Sequence, residues 1–250
     1  MTITFVTAFL NLQEDRPNEK SIETCIKHFV SVASSGISIV AFLSKEYIPH
    51  VEAHNLENVK CIPIELDQLE TYKETKECGT LDIPPFRSPV KDTQNFMILM
   101  NAKIEFMYKA IQYDLFQAER FAWIDFSIAY VLKNIHTSTT FLRRISNSPI
   151  NTGLYFPGCW EKHAGYSQVY TSIHWRFCGG FFLGDKESLL QMYTLYRRTY
   201  KTILQAKSIN LWEVNIWTIL ENEYDWSPTW YKADHNDTIF YIPEQYFSSA

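Results

Sequence analysis

Three short runs constrain this chain most: ITFVTAFL (3–10), ISIVAFL (37–43) and VKCIPIE (59–65) are apolar with little alternation. A strand with one wet face alternates apolar and polar residues. These do not, so both faces must be covered, as in a parallel sheet. Between the first two, Ile22, Cys25, Ile26, Phe29 and Ala33 recur at helical spacing over 21–34, and Gly36 stands where a helix C-terminal glycine belongs. A short helix over about 45–54 leads to the third run. Strand, helix, strand, helix, strand with covered faces specifies a right-handed α/β layer fold.

The rhythm breaks over 66–93, an acidic stretch ending in IPPFRSP (83–89), where the prolines exclude helix and central strand. A link this long is often a functional loop. Arg87 within it is either a solvated surface group or a phosphate contact. Residues 94–113 predict one long helix with Phe96, Leu99, Met100, Met107, Ala110 and Ile111 on its inner stripe. Lys103 falls on the same stripe, so it either snorkels outward or faces a bound anion. Asn101 lies on the flank, exposed or adding an amide contact.

RFAWIDFSIAYVL (120–132) supplies a fourth buried strand, Phe121 to Ile124, with Asp125 at its carboxyl end. Ligands of open α/β sheets bind beyond the strand carboxyl ends, so Asp125 reads as a metal or ligand contact, or else as a cap for the next turn. Residues 133–174 are mixed, with a helix near 138–147. HWRFCGGFFLGD (174–185) reads as a strand interrupted by Gly179-Gly180, which marks a packing kink or a close approach of backbone to ligand. Asp185 caps a helix with the stripe Leu189, Tyr193, Tyr196, Tyr200 and Ile203, and a last helix spans 211–223. In the tail, Asp234, His235 and Asp237 form a polar knot whose simplest meaning is a turn. No repeat or linker divides the chain, so a single domain over 1–250 is expected.

Composition narrows the function. The net charge is −5, from 23 basic and 28 acidic residues, which counts against nucleic acid as a partner. No apolar run reaches the roughly 18 residues of a membrane span. The first ten residues lack a basic n-region and read as a strand. The 5 cysteines form no CxxC pair, so reduced thiols and a cytoplasmic location are expected, and the 7 histidines show no HxxxH pair, against a structural zinc site. Glycine is scarce, 8 in all, yet six lie between Gly153 and Gly184.

TAFLNL (7–12), the Asn101/Lys103 helix, WIDF (123–126), CGGFFLGD (178–185) and WEVNIW (212–217) occur in an order that resembles the HtrL/YibB-like family and, more widely, glycosyltransferases of the GT-A fold. The resemblance spans Ile3 to about Ile242. It implies a Rossmann-like, mostly parallel sheet flanked by helices, and transfer of a sugar from a nucleotide-sugar donor to a hydroxyl of a glycan-type acceptor. Thr7 and Ala8 would lie beside base and ribose, and Gly179-Gly180 beside donor sugar and acceptor. Asp125 would stand for the first acid of the Asp-x-Asp metal motif, with His235 as the late histidine ligand of Mn²⁺ or Mg²⁺. The third motif position is Ser127, so the metal would be held by one carboxylate, His235 and water, or weakly, or not at all.

Charge on a departing nucleoside diphosphate must be stabilised by a cation or by Lys and Arg, which singles out Asp125, His235, Lys103 and Arg87. Glu213 is the candidate base for an inverting reaction, and Trp217 and Trp230 are candidates to stack on acceptor sugars or to pack in the core. Three other classes stay open. A nucleotidyltransferase would carry a Gly-rich loop where LNLQEDRPNEK (10–20) has none. A non-catalytic carbohydrate-binding protein and a metal-dependent hydrolase are the others.

Overall fold

The computed structural model describes residues 2–12 and 20–248; most of the glycine-free stretch 10–20 lies outside the described residues. In chain order the regular elements are β1 (Ile3–Phe9), α1 (Ile22–Ala33), β2 (Ile39–Leu43), α2 (Ile48–Glu52), β3 (Val59–Pro63), α3 (Glu70–Glu77), α4 (Gln94–Asn101) and α5 (Lys103–Tyr113). They continue as β4 (Arg120–Ile124), α6 (Ile135–Asn147), β5 (Leu154–Gly158), β6 (Phe181–Asp185), α7 (Lys186–Lys207), α8 (Glu213–Glu223) and β7 (Thr229–Lys232). The seven strands form one sheet in the order β3-β2-β1-β4-β6-β5-β7. β3, β2, β1 and β4 are mutually parallel, β6 alone is antiparallel to its neighbours β4 and β5, and β7 runs parallel to β5. The fold is α/β with a mostly parallel sheet between two helical layers.

Strand alternation sorts the two layers. Val6, Val40, Phe42, Phe121, Trp123, Phe156 and Phe182 face α4, α5, α7 and α8 through Met97, Ile104, Phe106, Tyr196, Tyr200 and Trp217. Phe5, Ile39, Ala41, Ala122, Ile124, Phe181 and Leu183 face α1 and α6 through Ile26, Phe29, Val32, Leu142 and Ile145. Covering on both sides is why β1, β2 and β4 carry apolar residues at every step or nearly so.

Several expectations are revised. β3 is the sheet edge and only half-buried, not a strand covered on both faces. The 66–93 link contains α3, whose inner face is polar: Thr71 Oγ1 donates to Glu105 Oε2 at 2.8 Å, and Thr75 Oγ1 meets the Tyr200 hydroxyl at 3.2 Å. The helix over 94–113 is two helices, broken at Ala102. There Asn101 Nδ2 reaches back to the Met97 carbonyl at 2.7 Å, a local side-chain bond that competes with the helical ladder. Residues 174–180 are not strand; β6 starts at Phe181. Asp185 does cap α7, its Oδ1 accepting from Ser188 N at 2.9 Å. No helix among the described residues is long and apolar enough to cross a membrane.

Candidate active site

The chain enters the sheet at β1, adds β2 and β3 on one side, then crosses to place β4 on the other. That reversal opens a crevice between the carboxyl ends of β1 and β4. A cleft of about 590 Å³ occupies it. Ala8, Phe9 and Leu10 from the end of β1 and Asp125, Phe126 and Ser127 after β4 form its floor. Phe96, Leu99 and Met100 of α4 make an apolar wall, and Lys20, Lys91 and Tyr130 are also in the lining. Phe126 is fixed between two rings, stacked on Phe9 at 4.7 Å and Phe29 at 4.5 Å between centroids.

Asp125 is the acid of this floor, with its side chain 40% exposed. Its Oδ1 accepts from Trp123 Nε1 at 2.7 Å and lies 3.0 Å from Lys103 Nζ. Oδ2 carries no hydrogen bond among the described residues. Its backbone N–H donates to the Gly180 carbonyl at 3.0 Å, tying the end of β4 to the glycine pair.

Lys103 does not snorkel. It is buried, with Nζ 2.8 Å from Glu213 Oε1 and donating to the Gly179 carbonyl at 2.9 Å. Burial alone pulls such an ammonium down; the charges of Asp125 and then Glu213 outweigh it and hold Lys103 above the ordinary lysine range. The break at Ala102 aims this residue inward by starting a new helix at it. Gly179 is needed for the same packing. A Cβ on Gly179 would lie 2.5 Å from Glu213 Oε1 and 3.3 Å from Lys103 Nζ; one on Gly180 would lie 2.8 Å from Ile128 Cδ1. In this structure Gly179 makes room for the Lys103 cluster and Gly180 for Ile128.

The other expected residues are placed as follows. Ala8 lines the cleft, whereas Thr7 is buried inside β1 and does not. Arg87 donates to the Pro84 carbonyl at 3.3 Å, and Ser88 rather than Arg87 lines the cleft. Asn101 is buried and consumed by structure, bonding Met97 and Leu211 carbonyls and accepting from Tyr196. Glu213 stands behind Lys103 as its counter-charge, away from the cleft lining. Trp217 is 1% exposed and packs edge-on to Phe156 and Phe182, leaving no ring face for a sugar. Trp230 has Arg176 over its ring at 4.4 Å, with that guanidinium paired to buried Glu221. His235 Nδ1 faces Cys159 Sγ at 3.6 Å, a different set of partners from Asp125.

Lys20, Lys91 and Tyr130 escaped sequence reasoning. Nothing in their local pattern distinguishes them; three chain segments converge to make the wall. Lys20 Nζ sits 2.9 Å from the Tyr130 ring centroid. Burial lowers its pKa from the ordinary lysine value, Cys25 raises it in part, and the neighbouring Lys91 charge lowers it further. Two cations thus share the wall of a cleft that has a carboxylate on its floor.

Among solved structures, an active-site mutant of LgtC is similar at 11% identity and a TM-score of 0.47, over 91% of this chain and 72% of that one. The 4-diphosphocytidyl-2C-methyl-D-erythritol synthase of Anaerococcus prevotii is similar at 9% identity and a TM-score of 0.42, over 93% and 89%. No residue role passes from them to this chain. No curated protein matches the sequence significantly. A family model described as a bacterial protein of unknown function, HtrL_YibB, matches residues 1–224, and the chain belongs to that family.

Proposed function

We propose that the chain is a glycosyltransferase, moving a sugar from a nucleotide-diphosphate donor to a hydroxyl acceptor. The observation that carries this reading is the position and lining of the cleft: at the strand-order reversal, with an acid on the floor, two ammonium groups and an apolar wall. Phe96, Leu99 and Met100 suit a nucleoside base. Lys20 and Lys91 offset the charge that develops on a leaving diphosphate. Val90, in the lining and exposed, presents apolar surface to a sugar.

The donor set fits a divalent cation that arrives with phosphate. Asp125 Oδ1 is engaged by Lys103 and Trp123, so Oδ2 is the atom left to bind one, with Ser127 beside it in the lining. Mg²⁺ is commonly held by one or two carboxylates plus substrate phosphates. A cation bound there supplies Lewis-acid stabilisation of the departing diphosphate. Lys103 holds Asp125 in place and, being paired to Glu213 as well, is a positioning residue.

Thermal unfolding against a panel of nucleoside diphosphates, with and without Mn²⁺ or Mg²⁺, tests this. A ligand at a hundred times its Kd adds about 2.7 kcal/mol, a Tm shift on the order of 5–10 °C for a chain of this size. One diphosphate should give that shift, larger with metal, and Asp125→Asn should abolish the metal-dependent part. A flat panel at millimolar ligand overturns the donor site, and glycan binding without nucleotide affinity would make the chain a carbohydrate-binding protein instead.

A further inference from the structure

Cys159, Cys178 and His235 come together outside the cleft lining, from the segments just after β5, just before β6 and just after β7. The two sulfurs are 3.5 Å apart, Cys159 Sγ is 3.6 Å from His235 Nδ1, and all three donor atoms lie within 4.8 Å of one another. A disulfide holds its sulfurs at about 2.05 Å, so these are two separate thiols. Thiols are weak hydrogen-bond donors and acceptors, which gives poor reason for three of these groups to converge. Tetrahedral zinc gives a good one. With Zn–S near 2.3 Å and Zn–N near 2.0–2.1 Å, the ligand tetrahedron has edges of about 3.8 Å between sulfurs and about 3.6 Å between sulfur and nitrogen.

We propose that Cys159, Cys178 and His235 bind one Zn²⁺. Two thiolates and an imidazole select a borderline-soft ion such as zinc over Mg²⁺ or Mn²⁺. Asp234, its side chain exposed, places Oδ1 3.8 Å from both Cys159 Sγ and His235 Nδ1, where it would supply a fourth ligand. Trp175, edge-on to the His235 ring at 4.1 Å between centroids, fixes the imidazole plane. Loading releases the thiol protons to solvent. The ion ties the ends of three strands together and anchors Cys178, the residue before the glycine pair that bonds Lys103 and Asp125. It is a structural clamp outside the cleft lining, and it stands whether or not the cleft binds a nucleotide.

The test is metal analysis of the full chain after exposure to Zn²⁺ and desalting under reducing conditions. One zinc per chain is expected in the wild type and in Asp125→Asn. Cys159→Ser and His235→Ala should weaken Zn²⁺ binding by more than about 100-fold, beyond the effect of an outer-shell change. Cys178 is 1% exposed, so a variant there risks misfolding. The Co²⁺-loaded wild-type chain provides the independent readout: a thiolate-to-cobalt charge-transfer band with intense tetrahedral d–d bands. Zinc well below one per chain, a cobalt spectrum without thiolate character, or a Cys159–Cys178 disulfide that forms in place of metal binding overturns the proposal.

Discussion

Two polar clusters sit on either side of the Cys178-Gly179-Gly180 turn, and they are built on opposite principles. On one side Lys103 is buried between Asp125 and Glu213, a cation supplied by the chain and satisfied at 2.8–3.0 Å on every contact. On the other, Cys159, Cys178 and His235 bring three donor atoms within 4.8 Å of one another. The first cluster carries its counter-charge in covalent form and is complete when the chain folds. The second is complete only with an ion taken from solution. The ionic groups around this turn thus divide into a triad that specifies a geometry and a set that waits for a ligand, with the turn coupling the two.

Removing the internal cation should break the first cluster outright. Lys103→Met leaves Glu213 buried without its partner, and such truncations typically cost 3–5 kcal/mol, on the order of 10 °C in Tm here. Adding Glu213→Gln should recover most of the loss, because the stranded charge goes with it. Denaturant unfolding of the single and double variants measures this. If the double variant is no more stable than Lys103→Met, the pair is not what holds the turn. Zinc content should be unchanged in both, since the second cluster does not use Lys103.

The turn itself discriminates between its two glycines. Gly179→Ala drives a methyl to 2.5 Å from Glu213 Oε1, an atom pinned by Lys103, whereas Gly180→Ala meets the free end of Ile128 at 2.8 Å. Overpacking of this kind costs about 1–3 kcal/mol when the neighbour cannot yield. Gly179→Ala should lie at the upper end and weaken nucleotide binding in the Asp125 cleft. Gly180→Ala should cost less than about 1.5 kcal/mol. Equal effects would mean that the Lys103 cluster is not the rigid side of the turn.

Legibility in the sequence followed the same division between what one segment carries and what several must bring together. β1, β2 and β4 announce themselves because both faces are covered. β5 hides behind Pro157 and Gly158, tolerated because its pairing with β6 ends at Tyr155, and β7 is four residues ending in an exposed Lys232. α3 went unseen because the side chains it buries are Thr71 and Thr75, packed on Glu105 and Tyr200. Asp125 was readable from its place at a strand end, and Lys103 from its misfit on an apolar stripe. Their pairing was not, for 22 positions separate them along the chain and Glu213 comes from another helix. α8 buries every residue from Glu213 to Glu221, so no periodicity marked Trp217 as core. Cys159 and Cys178 stand 19 positions apart, and neither has a second cysteine beside it to form the CxxC pair that marks a zinc site.

A modest expected effect isolates the second cluster from the first. Asp237 anchors the loop that carries His235, accepting from Ser138 Oγ at 2.6 Å and from the backbone N–H groups of Lys133 and Asn134 at 2.8 and 3.0 Å. Burial would raise its pKa; the Ser138 hydroxyl and those N–H groups outweigh it and hold the carboxyl below the ordinary aspartate value of 3.8. A depressed carboxyl stabilises the fold above its unfolded value and loses that contribution as pH falls through the folded one. Asp237→Asn should therefore cost about 1–2 kcal/mol near neutral pH, with the gap to wild type closing below about pH 3.8. A gap independent of pH would assign the loss to packing. Zinc affinity should fall modestly in this variant while the nucleotide-dependent Tm shift stays, because Asp234 and His235 face Cys159 and neither lines the cleft.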